Sequence, residues 1–367
     1  MTGSAINDSR PPSVAARSLV WLVFGLFFIW GGATSLNDVL IPTLKGLFSL
    51  SYGEVMLTQF AFFTAYFLVS IPAGILVSRV GYVRGLVAGL GVMVIGALLF
   101  WPASASGAYW PFLIALFVLA GGITILQVAA NPLVATLGDT AGASSRLTFA
   151  QAFNSLGTTI WPYIGAQLIL QTEADKQVAT ARGAETAIVS HIYLGIAIIL
   201  ALVAIIFWSR RNQLGTEKPD EVGFISSLEL LRQPRVLFGA IALFVYVGAE
   251  VSIGSVLVSY LEQASTLGLS AQSAGERLSF YWGGAMIGRF IGAWLLKRFV
   301  PGNLLALFAL SAALLVVLSM TTSGNVAGWS LIAVGLFNSI MFPTIFSLAL
   351  EGQGAKTPEA SGLLCMA

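Results

Sequence analysis

The sequence predicts an all-α polytopic membrane protein, and three observations predict it. Hydrophobic residues make up 57% of the 367 residues and charged residues 9%, where a soluble domain carries roughly a quarter charged residues. Mean hydropathy is +0.88. Apolar runs of about 20 residues, the length that crosses a bilayer as a helix, recur along the chain with basic residues at alternating ends.

Residues 1–18 form a polar tail with Pro11 and Pro12. The apolar run after it is too long for a signal peptide and lacks a small-residue cleavage pattern, so it reads as a permanent first helix. Ten spans follow, near Leu19–Phe48, Val55–Val77, Leu86–Trp101, Pro111–Leu137, Leu147–Leu170, Ile188–Trp208, Val236–Leu261, Leu278–Leu296, Leu304–Met320 and Trp329–Leu350. The longest connector, 209–235, holds Arg210, Arg211, Lys218, Arg232 and Arg235 and separates six spans (19–208) from four. It is expected to be a cytoplasmic linker between a six-helix amino-terminal bundle and an incomplete carboxy-terminal bundle, 236–367. With the amino terminus in the cytoplasm, Arg79, Arg84, Arg146, Lys297 and Arg298 also fall inside, and only Lys45, Lys176, Arg182 and Arg277 fall outside. That asymmetry sets the expected orientation in the cell (inner) membrane.

Self-similarity suggests a duplication. The second span ends Gly74-Ile-Leu-Val-Ser-Arg79 and the eighth ends Gly292-Ala-Trp-Leu-Leu-Lys-Arg298. Pro132 in the fourth span is matched by Pro343 in the tenth, and the same offset sets Asn338 opposite Gln127. A duplicated half would have six spans, so the sequence is expected to be a truncation or gene fragment that stops as an eleventh helix begins.

Four stretches carry a resemblance to a known family. They are Trp30-Gly-Gly-Ala-Thr-Ser-Leu-Asn-Asp38, Gln127-Val-Ala-Ala-Asn-Pro132, Ser144-Ser-Arg-Leu with Ala150-Gln-Ala-Phe-Asn-Ser-Leu-Gly157, and Gly335-Leu-Phe-Asn-Ser-Ile-Met-Phe-Pro343. Together they resemble the fucose:proton symporter family of the major facilitator superfamily, and more closely its glucose/galactose transporter branch, over essentially the whole chain. The resemblance implies twelve helices in two six-helix bundles around a central cavity. It also implies a transport role for Asp38 and sugar contacts from Gln151 and Asn154. Gln127 stands where the fucose permease has a glutamate that binds substrate and serves proton coupling. This departure removes the most obvious proton carrier.

The polar residues at membrane depth support the same reading, because an unpaired amide there costs several kcal/mol. Gln127 and Asn131 are four apart and Gln151 and Asn154 three apart, so each pair shares a helix face. Amides both donate and accept, which suits the hydroxyls of a neutral sugar. The alternative is interhelical bonding, the expected role of Asn131. Trp30 and Asn338 complete the expected substrate set, Trp30 by stacking on a pyranose face.

Three ionisable residues, Asp38, Glu250 and Arg289, are read well inside spans, where charge is costly and usually functional. Asp38 and Asn37, shortly before Pro42, offer oxygens to a coupling cation. Glu250 either serves coupling and substrate or pairs with Arg289. Arg289 lies roughly 12 Å by helical rise from the cytoplasmic basic exit and is expected to act as a gate or structural residue. The reading is a secondary transporter importing a neutral hexose by alternating access, coupled to a cation, with sodium slightly favoured over a proton. An N-acetylglucosamine or fucose:proton symporter of the same family, or a sugar sensor that binds without translocating, are the alternatives. The single histidine and cysteine and the lack of paired intramembrane aspartates speak against an enzyme or a metal cofactor. The expected partners are a sugar and the bilayer, with no nucleic acid, and the chain is expected to be a monomer.

Overall fold

A computed structural model describes residues 14–137, 139–175, 182–212 and 223–367. Fourteen α-helices are present among them: α1 (Val14–Phe48), α2 (Tyr52–Val80), α3 (Tyr82–Leu98), α4 (Phe100–Ser106), α5 (Trp110–Thr136), α6 (Ala143–Asp175), α7 (Arg182–Ser209), α8 (Phe224–Glu229), α9 (Pro234–Glu262), α10 (Ala271–Leu295), α11 (Pro301–Thr321), α12 (Gly324–Asn338), α13 (Met341–Leu350) and α14 (Thr357–Met366). All ten expected spans lie in helix, with α3–α4 and α12–α13 each forming one broken span. Seven spans among the described residues are long and apolar enough to cross a bilayer by composition alone. Among the others, α6 carries Gln151 and Asn154, and α10 carries Arg289.

Local chemistry sets the helix ends. Ser51 caps α2 in a reciprocal capping box with Glu54, satisfying donors that the first turn leaves open. Gly81 then takes φ +84° to turn the chain into α3, a conformation only glycine adopts without strain. Prolines open α9 and α11, where a missing N–H costs nothing.

In the amino-terminal half α1 packs on α6, α5 packs on both α2 and α3, and α3 packs on α7. The carboxy-terminal half repeats part of this plan: α12 packs on both α10 and α11, as α5 does on α2 and α3. The halves meet where α10 and α13 lie on α6. The short α14 packs mainly on α2 and α5 rather than on its own half, so it is a bridging helix. Of the expected linker, 213–222 lie outside the described residues, and α8 occupies part of the remainder. Phe27, Leu86, Leu90, Met93 and Phe100 are fully buried among the described residues, while Phe60, Phe67, Phe238 and Phe244 face outward. An apolar exterior is the natural surface of a chain whose solvent is lipid.

Candidate substrate site between the two halves

The amino-terminal wall is built on α5. Gln127 accepts a hydrogen bond at 3.2 Å from the Tyr66 hydroxyl of α2. One turn on, Asn131 is fully buried and accepts from Gln151 of α6 at 3.3 Å. Asn131 therefore ties α5 to α6, with Gln151 as its partner. Asn154, one turn along α6, donates at 3.1 Å to the Phe27 carbonyl of α1. The close approach behind this bond depends on Gly157, where a Cβ would collide with the Phe28 carbonyl.

The carboxy-terminal wall repeats the tyrosine–amide pair. Asn338 at the end of α12 donates at 2.9 Å to the Tyr281 hydroxyl of α10, as Tyr66 of α2 donates to Gln127 of α5. The helices involved, α2 with α5 and α10 with α12, are the equivalents that the duplication predicts. Glu250 of α9 is reached through its carbonyl by Tyr281 at 3.3 Å, and its carboxylate faces both Tyr246 and Arg289. Among the described side chains, ion pairs form between Arg146 and Asp139 at 2.8 Å and between Arg235 and Glu351 at 3.2 Å. Glu250 and Arg289 thus interact through space without a contact pair among the described residues.

Arg289 instead crosses between the halves. Its guanidinium donates to Ser155 and, at 3.4 Å, to the Gln151 carbonyl of α6, and at 3.4 Å to the Ser339 carbonyl of its own half. The Ser339 acceptor exists because of Pro343. A proline lacks the N–H that would bind the carbonyl four residues back, and that carbonyl belongs to Ser339. Pro132 does the same for Val128, whose carbonyl accepts at 2.9 Å from Ser361 of α14. Each repeat's proline frees one acceptor, and each acceptor is taken by a side chain.

Nearer the end of α6 that carries Arg146, further bonds join the halves. The Ser144 and Ser347 hydroxyls lie 2.7 Å apart, and Ser145 donates at 2.6 Å to the Ala293 carbonyl. The halves are therefore closed together at this end.

Trp30 is buried against Phe27, with ring centroids 5.1 Å apart, which sets it in the packing of the amino-terminal half. Asn37 and Asp38 belong to α1, and their side chains lie outside the described ones. The residues that sequence reasoning missed are Tyr66, Tyr246, Tyr281 and Ser155. Tyrosine in an apolar run reads as core or interface, and neither repeat offset aligns Tyr66 with Tyr281, so no spacing marks them. Glu359 was also missed as an ionisable group: it is 1% exposed at the start of α14. Among the described residues no three His, Cys, Asp or Glu side chains converge as a metal site would require.

Comparison with known proteins follows the same architecture. The Major Facilitator Superfamily model matches residues 22–366. A glucose/galactose transporter of Brucella abortus is 49% identical over 342 residues, covering 93% of this chain and 82% of the relative. The L-fucose-proton symporter of Escherichia coli is 35% identical over 363 residues, covering 94% and 82%. The crystal structure of the transporter FucP in the outward conformation superposes with a TM-score of 0.85 at 34% identity, covering 96% of this chain and 89% of that one. With ten helical spans among the described residues, a repeated tyrosine–amide pair and a match along nearly its whole length, the chain belongs to the major facilitator superfamily of membrane transporters.

Proposed function

We propose that the chain imports a neutral hexose, of the glucose or galactose type, by alternating access between its two halves. The observation that carries this reading is the pairing of Tyr66 with Gln127 on one wall and Tyr281 with Asn338 on the other. Phenol and amide together offer donors and acceptors without a net charge, which matches a ring of hydroxyls. The names of the relatives, a glucose/galactose transporter and an L-fucose-proton symporter, support a sugar as cargo.

The closed end, with Ser144–Ser347 and Arg289 bridging α10 to α6, carries the basic residues assigned to the cytoplasm. The chain is accordingly read as outward-facing in an inner membrane, with its amino terminus inside. The two bundles, 19–208 and 236–367, would rock about the central site. Arg289 is the gate residue in this reading.

Coupling is to a cation. The absence of a carboxylate at Gln127 leans toward sodium, with Asp38 and Asn37 as ligands, but the similar Escherichia coli protein is named an L-fucose-proton symporter. Glu250, facing Arg289 and Tyr246, is a carboxylate that could exchange a proton, and the proton is the cation proposed.

Counterflow in proteoliposomes with a panel of labelled hexoses tests the whole reading. Exchange of glucose or galactose, with accumulation driven by an inward proton gradient and indifferent to sodium, is expected. Binding without exchange would leave a sensor, and accumulation that requires sodium would overturn the proton assignment.

A further inference from the structure

A crevice of about 400 Å³ opens at the closed end, apart from the substrate site. Its walls are aromatic: Trp21 and Phe24 of α1, Phe149 of α6, and Phe290 and Trp294 of α10. Its volume falls within the roughly 300–1,000 Å³ of small-ligand sites. Trp21 and Trp294 are more than half exposed, so the crevice faces the lipid rather than the interior.

The rim is basic. Arg146 and Lys297 line it, no carboxylate does, and Arg298 lies 4.6 Å over the Trp294 ring. Arg146 is already engaged by Asp139 and by the carbonyls of Val134, Ala135 and Asp139. The Lys297 ammonium has no partner among the described residues and is exposed just past the end of α10. An aromatic trough running from bilayer depth to an uncompensated ammonium at the interface complements one molecule in particular. Basic pockets between transmembrane helices recognise anionic lipid headgroups.

We propose that the crevice is a binding site for an anionic diacyl phospholipid. One acyl chain lies between α1, α6 and α10, and the phosphate sits on Lys297. The walls come from both halves, so the lipid would bridge them in the closed arrangement and lose its site when they part. A ligand that binds one arrangement shifts the population toward it.

Tryptophan quenching by brominated acyl chains tests this on the full chain in vesicles. At a low mole fraction in phosphatidylcholine, brominated phosphatidylglycerol is expected to quench severalfold more than brominated phosphatidylcholine. Lys297→Gln, an exposed substitution that spares the fold, should bring the two lipids to parity. Trp21→Phe combined with Trp294→Phe should remove the excess quenching, because those rings are the reporters. Equal quenching by both lipids in the unsubstituted chain, a preference that survives Lys297→Gln, or an excess that survives loss of the two tryptophans would each overturn the proposal. The readout requires no sugar transport, so it stands or fails independently of the proposed function.

Discussion

Gln127 and Asn154 carry the same functional group in different settings, and substitution should separate them. Gln127 is half-buried and bonded to a tyrosine hydroxyl, so Gln127→Ala is expected to weaken sugar binding about tenfold, the value of one well-made hydrogen bond. Its melting temperature should hardly move. Asn154 instead ties α6 to the Phe27 carbonyl, and Asn154→Ala should lower the melting temperature as well as the affinity. Calorimetric titration beside thermal unfolding checks both; normal affinity in Gln127→Ala would remove it from the site. Glu250→Gln tests coupling at the same scale. Counterflow should persist while accumulation against a gradient disappears, and unchanged accumulation would return the coupling role to Asp38.

At the scale of elements, the apolar runs made the spans legible, because twenty residues without charge have few alternatives to a membrane helix. The amides of α5 and α6 were legible too, since polarity at that depth is conspicuous. Their partners were not. Gln151 pairs with Asn131 through a helix contact, and no sequence period announces which faces meet. The tyrosines were hidden by their own rings, which count as apolar in any window. The packing of α10 against α12 depends on Gly335, where a Cβ would strike the Tyr281 carbonyl. Gly335→Val should therefore destabilise by about 1–3 kcal/mol through overpacking and displace Tyr281 from Asn338. A melting temperature within a degree of the unsubstituted protein would show that α10 can give way.

For the whole molecule, the closed end is a contact between halves, so a covalent tie there should stop transport without touching the sugar site. The paired substitutions Ser144→Cys and Ser347→Cys replace hydroxyls 2.7 Å apart, and the chain has one native cysteine, Cys365, which is buried. Mild oxidation is expected to abolish uptake and a reductant to restore it, while sugar binding persists throughout. Oxidation that leaves uptake intact would mean that the halves do not separate at this end. The Val128 carbonyl freed by Pro132 has a different consequence. Its bond to Ser361 joins the halves, and an unmet buried carbonyl costs about 1–3 kcal/mol. When the halves part, water must replace that hydroxyl, so the transition carries a step of wetting as well as a step of motion. Solutes that draw water from the cavity should then slow turnover, and Ser361→Ala, which has no such bond to exchange, should feel them less.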